Sequence, residues 1–193
     1  MNDHKPNPEI DYGPLVHLIG SWTGDIGLDV SPEPDGQEEN PYYETLSYIA
    51  IGDVTNAESQ QLAVVRYQQI VIRKSDNEVF HDETGYWMWD AATATVMHSL
   101  AIPRAVCVLA GGLWTASENQ EDGVSIAVNA KLGDPDWGII QSPFMRDFAK
   151  TVAFRHEITV EKEKLTYFET TVLDIYGKTF EHTDRNELAK KVP

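Results

Sequence analysis

A period of two dominates this chain. Val152, Phe154, His156, Ile158 and Val160 fall on one side of an extended backbone, and the residues between them on the other. Trp22, Gly24, Ile26, Leu28 and Val30 repeat the pattern, with Thr23, Asp25, Gly27 and Asp29 opposite. So do Val96, His98, Leu100 and Ile102, and then Val124, Ile126 and Val128. Successive side chains of a strand point to opposite faces, so each stretch predicts a strand with one buried face. Strand-like runs also cover Tyr42–Ile51, Leu62–Arg73, Val79–Trp89, Leu165–Ile175 and Lys178–Asp184. Asp76-Asn77, Asn119–Gly123 and Glu161–Lys164 supply turn residues between them. Helical patterning is confined to Pro14–Ile19 and Ser142–Lys150, where Pro143 suits a first helical position.

Strands that each bury one face must close on one another, as a sandwich or as a barrel. The 193 residues are nearly twice the ~100 of an immunoglobulin-type sandwich. A closed meander removes both sheet edges and encloses an interior. The expected fold is all-β: a single closed antiparallel barrel of about ten strands with short helical caps. The barrel is expected over residues 14–189, after a loose N-terminus (1–13) and before a tail (190–193). Ser31–Pro41, with three prolines, reads as a polar loop within that domain. Gly111-Gly112 reads as a turn or bulge.

Charge and cysteine content narrow the function. Acidic residues outnumber Lys and Arg by 31 to 15, a net charge of −16, and such a field repels nucleic acid and anionic membranes. No apolar run approaches the ~20 residues of a membrane span, and the N-terminal stretch shows no secretory h-region. Cys107 is the only cysteine, so neither an intramolecular disulfide nor a cysteine zinc site is available. The expectation is a cytoplasmic protein with a small-molecule partner, no nucleic-acid partner and an open oligomeric state. Cys107 alternates with Ala105 and Leu109 and is expected to be a buried, inert thiol.

Gly20-Ser21-Trp22 opens the first strand, and a Gly-x-Trp there resembles the lipocalin and fatty-acid-binding superfamily. Three stretches together carry a narrower resemblance. They are Pro14-Leu15-Val16-His17-Leu18-Ile19-Gly20-Ser21-Trp22-Thr23-Gly24, His81-Asp82-Glu83-Thr84-Gly85-Tyr86, and the late His182 followed by Leu188. In this the chain resembles the nitrobindin-like family of haem-binding β-barrels. The resemblance implies His182 as the metal ligand to haem b, and binding of nitric oxide or isomerisation of peroxynitrite as the chemistry. The local patterns depart from the family in three places. The acidic loop 31–41 replaces its Tyr-Pro-Thr-Ile stretch, Ala101-Ile102-Pro103-Arg104 stands for Gln-x-Thr-Gly, and His182-Thr183 stands for His-Leu.

Parity adds candidates of its own. His98 and His156 are each the only polar member of an apolar face, which places them inside. His81 shares its parity with Glu83, Gly85, Trp87 and Trp89, and His182 shares its parity with Phe180 and Asp184. The expected ligand-binding set is therefore His81, Glu83, Trp87, His98, His156 and Phe180, lining one partly polar pocket for a small apolar or amphipathic ligand. Asp184 is a candidate acceptor for the second nitrogen of His182. His4 and His17 are bystanders, and Ser142–Met145 is a candidate lid. The rival to haem is a haem-free carrier or sensor of a fatty-acid-like ligand, its carboxylate held by the histidines and Arg66, Arg104 or Arg155. A barrel enzyme with a histidine and Glu83 as acid–base pair is a third reading.

Overall fold

The computed structural model describes residues 6–116 and 123–191. Among the described residues, eleven strands follow a 3-10 helix at Gly13–His17. They are β1 (Gly20–Glu33), β2 (Gly36–Asn56), β3 (Gln60–Arg73), β4 (Val79–Asp90), β5 (Thr95–Ile102), β6 (Val106–Leu113), β7 (Val124–Lys131), β8 (Ile139–Gln141), β9 (Ala149–Glu161), β10 (Lys164–Ile175) and β11 (Lys178–Lys190). One short helix, α1 (Pro143–Phe148), precedes β9. The order is β5-β4-β3-β2-β1-β11-β10-β9-β7-β6-β8, and a β5–β6 ladder joins the two ends. Ten antiparallel strands thus close a barrel, with β8 added at the Val106 end of β6. The expected fold class is confirmed. His4 and most of the Asn119–Gly123 turn lie outside the described residues.

The 3-10 helix plugs one end. Tyr12, Leu15 and Leu18 are buried, and Trp22 is fully enclosed with Nε1 donating to the Leu18 carbonyl at 2.7 Å. Tyr12 belongs to this core although it precedes the expected domain boundary, and Lys190 is the last residue of β11.

The expected inner face of β1 holds only for its first residues. Gly24 pairs with Glu44 but Gly27 with Tyr42, so β1 carries one extra residue there. That bulge reverses parity. Ile26 turns outward at 65% exposure, and Asp29, expected outside, is buried at 4%. Gly27 makes room for the inner layer: a Cβ would sit 2.0 Å from the Tyr42 ring.

Three further expectations are corrected. Ser31–Pro41 is no long loop: Ser31, Pro32 and Glu33 pair with Glu38, Gln37 and Gly36 around a turn at Pro34-Asp35. Asp35-Gly36 is turn chemistry, so β1 and β2 run on as one hairpin to Glu33 and Gly36, with Ser31, Pro32 and Glu38 bordering the interior. Gly111 and Gly112 lie inside β6, where Trp137 and the Ala127 carbonyl approach too closely for a Cβ. Cys107 is exposed, because Val106, Val108 and Ala110 take the inner face of β6.

Gly85 on β4 is a similar close approach, where a Cβ would meet the Ser99 carbonyl oxygen at 1.9 Å. Gly85→Ala is expected to force β4 from β5 at a cost of about 3 kcal/mol, the upper range of overpacking. Its urea midpoint relative to wild type checks this.

Candidate functional site

The barrel interior has two zones. Towards the plugged end it is filled by Trp22, Trp87, Ile126, Ile158, Leu165 and Leu188. Towards the other end a cavity of about 360 Å³ opens. Its apolar wall includes Leu100, Val106, Val108, Phe80, Phe154 and Leu173, and Met145 of α1 borders it. Its polar wall includes Asp29, His81, Glu83, Glu169, His182 and Asp184. α1 begins with Ser142 capping the Met145 amide, so one end of the expected lid segment contacts the cavity.

Register builds the polar wall. Asp29 of β1 stands opposite Asp184 of β11, and Asp184 opposite Glu169 of β10. Asn40 on β2 and His156 on β9 extend the same row at its two ends. Carboxylates directly opposite one another repel, so the row needs compensating hydrogens or cations. His182 supplies one: its Nε2 lies 2.5 Å from Asp29 Oδ1 and 3.3 Å from Asp184 Oδ2. Asn40 Nδ2 donates to Asp29 Oδ2 at 3.0 Å. Burial opposes ionisation of Asp29, but the His182 and Asn40 bonds hold its carboxyl below the usual range. Burial lowers the His182 imidazole, and the Asp29 bond with the charges of Asp184 and Glu169 raises it on balance. Burial raises Asp184 to about 7 despite His182, with Glu169 and Asp29 adding to the rise.

A second chain runs inward from His81. His81 Nε2 lies 3.5 Å from Glu83 Oε2, and Tyr67 donates its hydroxyl to Glu83 Oε1 at 2.5 Å. His98 Nε2 is 2.8 Å from the same Tyr67 oxygen. The hydroxyl has one hydrogen, committed to Glu83, so His98 carries its hydrogen on Nε2 and donates it. Complete burial drives the His98 imidazole well below its ordinary range, and it stays neutral. Burial lowers His81 too, but the Glu83 bond and the charges of Glu83, Glu169 and Asp184 outweigh it and raise His81 to about 9.

A third cluster centres on Glu44, which accepts from Gln69 at 2.8 Å, Tyr167 at 3.0 Å and Asn186 at 2.6 Å. Burial raises its carboxyl even so.

Of the expected ligand-binding set, His81 and Glu83 border the cavity. Trp87, His98 and His156 point inward as parity required, but they do not border it. Trp87 stacks on His98 at 3.9 Å between centroids, and His156 packs edge-on against both, filling the barrel beneath. Phe180 is half-buried beneath Lys178 and does not line the cavity. Of the three arginines only Arg104 borders it; Arg66 is exposed, and Arg155 pairs with Glu157 on the outer surface. His17 is exposed. Asp184 meets His182, but at the Nε2 already shared with Asp29 rather than at the second nitrogen. Asp29, Glu169, Glu44 and Tyr67 were not among the expected site residues. Parity with Leu165 and Tyr167 pointed Glu169 inward, and parity with Tyr42 and Leu46 did so for Glu44.

No curated protein matches this chain. Among solved structures, the crystal structure of Rv2717c from M. tuberculosis superimposes with a TM-score of 0.67 at 18% identity, over 94% of this chain and 100% of that one. At that identity the likeness establishes the barrel. The family model described as "THAP4-like, heme-binding beta-barrel domain" matches residues 11–190, from the plug to the last residue of β11. The chain therefore belongs to the THAP4-like haem-binding β-barrel domain family.

Proposed function

We propose that this barrel binds one small amphipathic molecule in the cavity, with its polar end against the Asp29–Asp184–Glu169 row and its apolar part against Phe80, Leu100, Val108 and Phe154. The observation that carries this reading is the two-sided wall: ordered carboxylates and imidazoles face aliphatic and aromatic side chains across about 360 Å³. That volume is on the scale of small-molecule sites, a few hundred cubic ångströms.

Haem b, with nitric oxide or peroxynitrite chemistry, is the alternative that the family description supports. The residues present do not fit it. Iron in a porphyrin offers His182 a single axial position, and the carboxylates of Asp29 and Asp184, both within 3.3 Å of Nε2, stand where the ring would have to lie. An apolar macrocycle would also lie against Glu83, Glu169 and Asp184, whose desolvation nothing in the ring repays. A free fatty acid would have to set its carboxylate at Arg73 or Arg104, the arginines that line the cavity, away from the row that repels it.

The neutral amphiphile 1-aminoanthracene tests the reading through its fluorescence rise in an apolar site. One molecule per chain is expected to bind wild type. Thr171→Trp, which fills the cavity beside His182, is expected to lose most of the signal while keeping the wild-type circular dichroism. Equal binding by wild type and Thr171→Trp contradicts the interior site.

A further inference from the structure

We propose that Asp29, His182 and Asp184 form a binding site for one first-row divalent cation, of the Zn²⁺ or Mn²⁺ type, at the polar wall of the cavity. The proposal rests on the same cavity as the ligand reading and adds an ion to it. Each of the three residues offers one donor atom, and all three donors lie within 4.8 Å of one another. They come from two adjacent strands locked in register, Asp29 opposite Asp184 with His182 two residues along β11. Donors about 2.1 Å from an ion and at right angles are separated by about 3 Å. The 3.3 Å between His182 Nε2 and Asp184 Oδ2 already matches that spacing. The 2.5 Å contact from His182 to Asp29 is a hydrogen bond, which opens by about half an ångström as the ion enters. Nε2 then gives its hydrogen to solvent, and its lone pair forms the bond to the metal.

The surroundings supply what a metal site needs beyond its ligands. Asn40 Nδ2 grips Asp29 Oδ2, leaving Oδ1 aimed at His182, and such partners orient ligating carboxylates. Ser31 reinforces Asn40 from 3.3 Å. The remaining coordination positions open to the cavity, where water or a ligand's polar end can fill them. A separate observation comes from the end of the row. His156 is only 6% exposed and both its ring nitrogens lack hydrogen-bond partners. Its Nδ1 faces Glu169 Oε2 from 3.1 Å, outside hydrogen-bonding geometry, at the end of the same row. Three carboxylates aligned across neighbouring strands, with a buried imidazole beside Glu169 that makes no hydrogen bond, gain from a divalent ion among them. One imidazole with two carboxylates, open to water on one side, is a donor set suited to Zn²⁺ or Mn²⁺.

The test is calorimetric titration of the chelator-treated full chain with Zn²⁺, and with Mn²⁺ followed by electron paramagnetic resonance. One ion per chain is expected, with a rise in melting temperature at saturation. His182→Gln and Asp184→Asn are each expected to weaken binding at least 100-fold, and Asn40→Ala by about tenfold, since it only orients Asp29. Both ligand variants are near-isosteric and keep the barrel's apolar layers. Should one fail to fold by circular dichroism, the other carries the test with Asn40→Ala. No uptake by folded wild type, or uptake that His182→Gln and Asp184→Asn leave unchanged, overturns the site. The 1-aminoanthracene titration on the same metal-free sample separates the two readings. Probe binding without metal binding removes only the cation site, and metal binding without probe binding removes only the amphiphile.

Discussion

Raising the pH from 6.5 to 9 is expected to lower the protein's stability by on the order of 3 kcal/mol through His81 alone. The sign follows from linkage. His81 in the folded barrel holds its proton up to about 9 because Glu83 on its own strand, Glu169 on β10 and Asp184 on β11 face it. In the unfolded chain it loses that proton near 6.5. The stabilisation is complete below 6.5 and disappears as the pH rises through about 9. His182, raised by Asp29, Asp184 and Glu169, adds a change of the same sign. Melting curves at steps between these limits should therefore fall steadily for wild type. His81→Gln should start lower at pH 6.5 and fall less. A wild-type curve that is flat or rises would mean that His81 is not charged inside the barrel.

Tyr67→Phe is expected to destabilise the fold by about 3 kcal/mol, more than the roughly 1 kcal/mol of an average hydrogen bond. The ring of Phe would fill the same space against Tyr48 and His98. The loss is the hydroxyl, which donates to Glu83 and accepts from His98. Both partners are buried, Glu83 at 3% exposure and His98 at 0%, and His98, away from the cavity, loses a hydrogen bond that water cannot replace. Urea unfolding at neutral pH measures this. Coupling is checked with Tyr67→Phe combined with Glu83→Gln, whose joint cost should be less than the two separate costs summed.

Much of the barrel is legible in alternation, and the exceptions have definite causes. Phe154, His156, Ile158 and Val160 lie inside as their spacing requires, because β9 pairs regularly with β10 over that stretch. Asp29 escapes the pattern because one inserted residue near Gly24–Gly27 swaps the faces of β1, and a bulge leaves no mark on hydropathy. The turn at Pro34-Asp35 was hidden for the opposite reason: polar, proline-rich residues read as a loop although their backbones pair. The site was legible in face and not in depth. Parity says that His98, His156 and Trp87 point inward, which they do. It carries no coordinate along the barrel axis, and these three fall in the packed layer while His81, Glu83 and His182 fall at the cavity. Depth emerges only from register between distant strands, the same register that aligns Asp29, Asp184 and Glu169.

The central claim is that the polar wall of this cavity is a set of carboxylate–imidazole pairs for a small ligand, with His182 Nε2 held between Asp29 and Asp184. Optical titration of the metal-free protein with haemin tests it most directly, in wild type and His182→Ala side by side. The account predicts superimposable spectra, with no sharp Soret band that depends on His182. A stoichiometric Soret band in wild type that His182→Ala abolishes would contradict it, and would show that the imidazole leaves Asp29 to serve as an axial ligand.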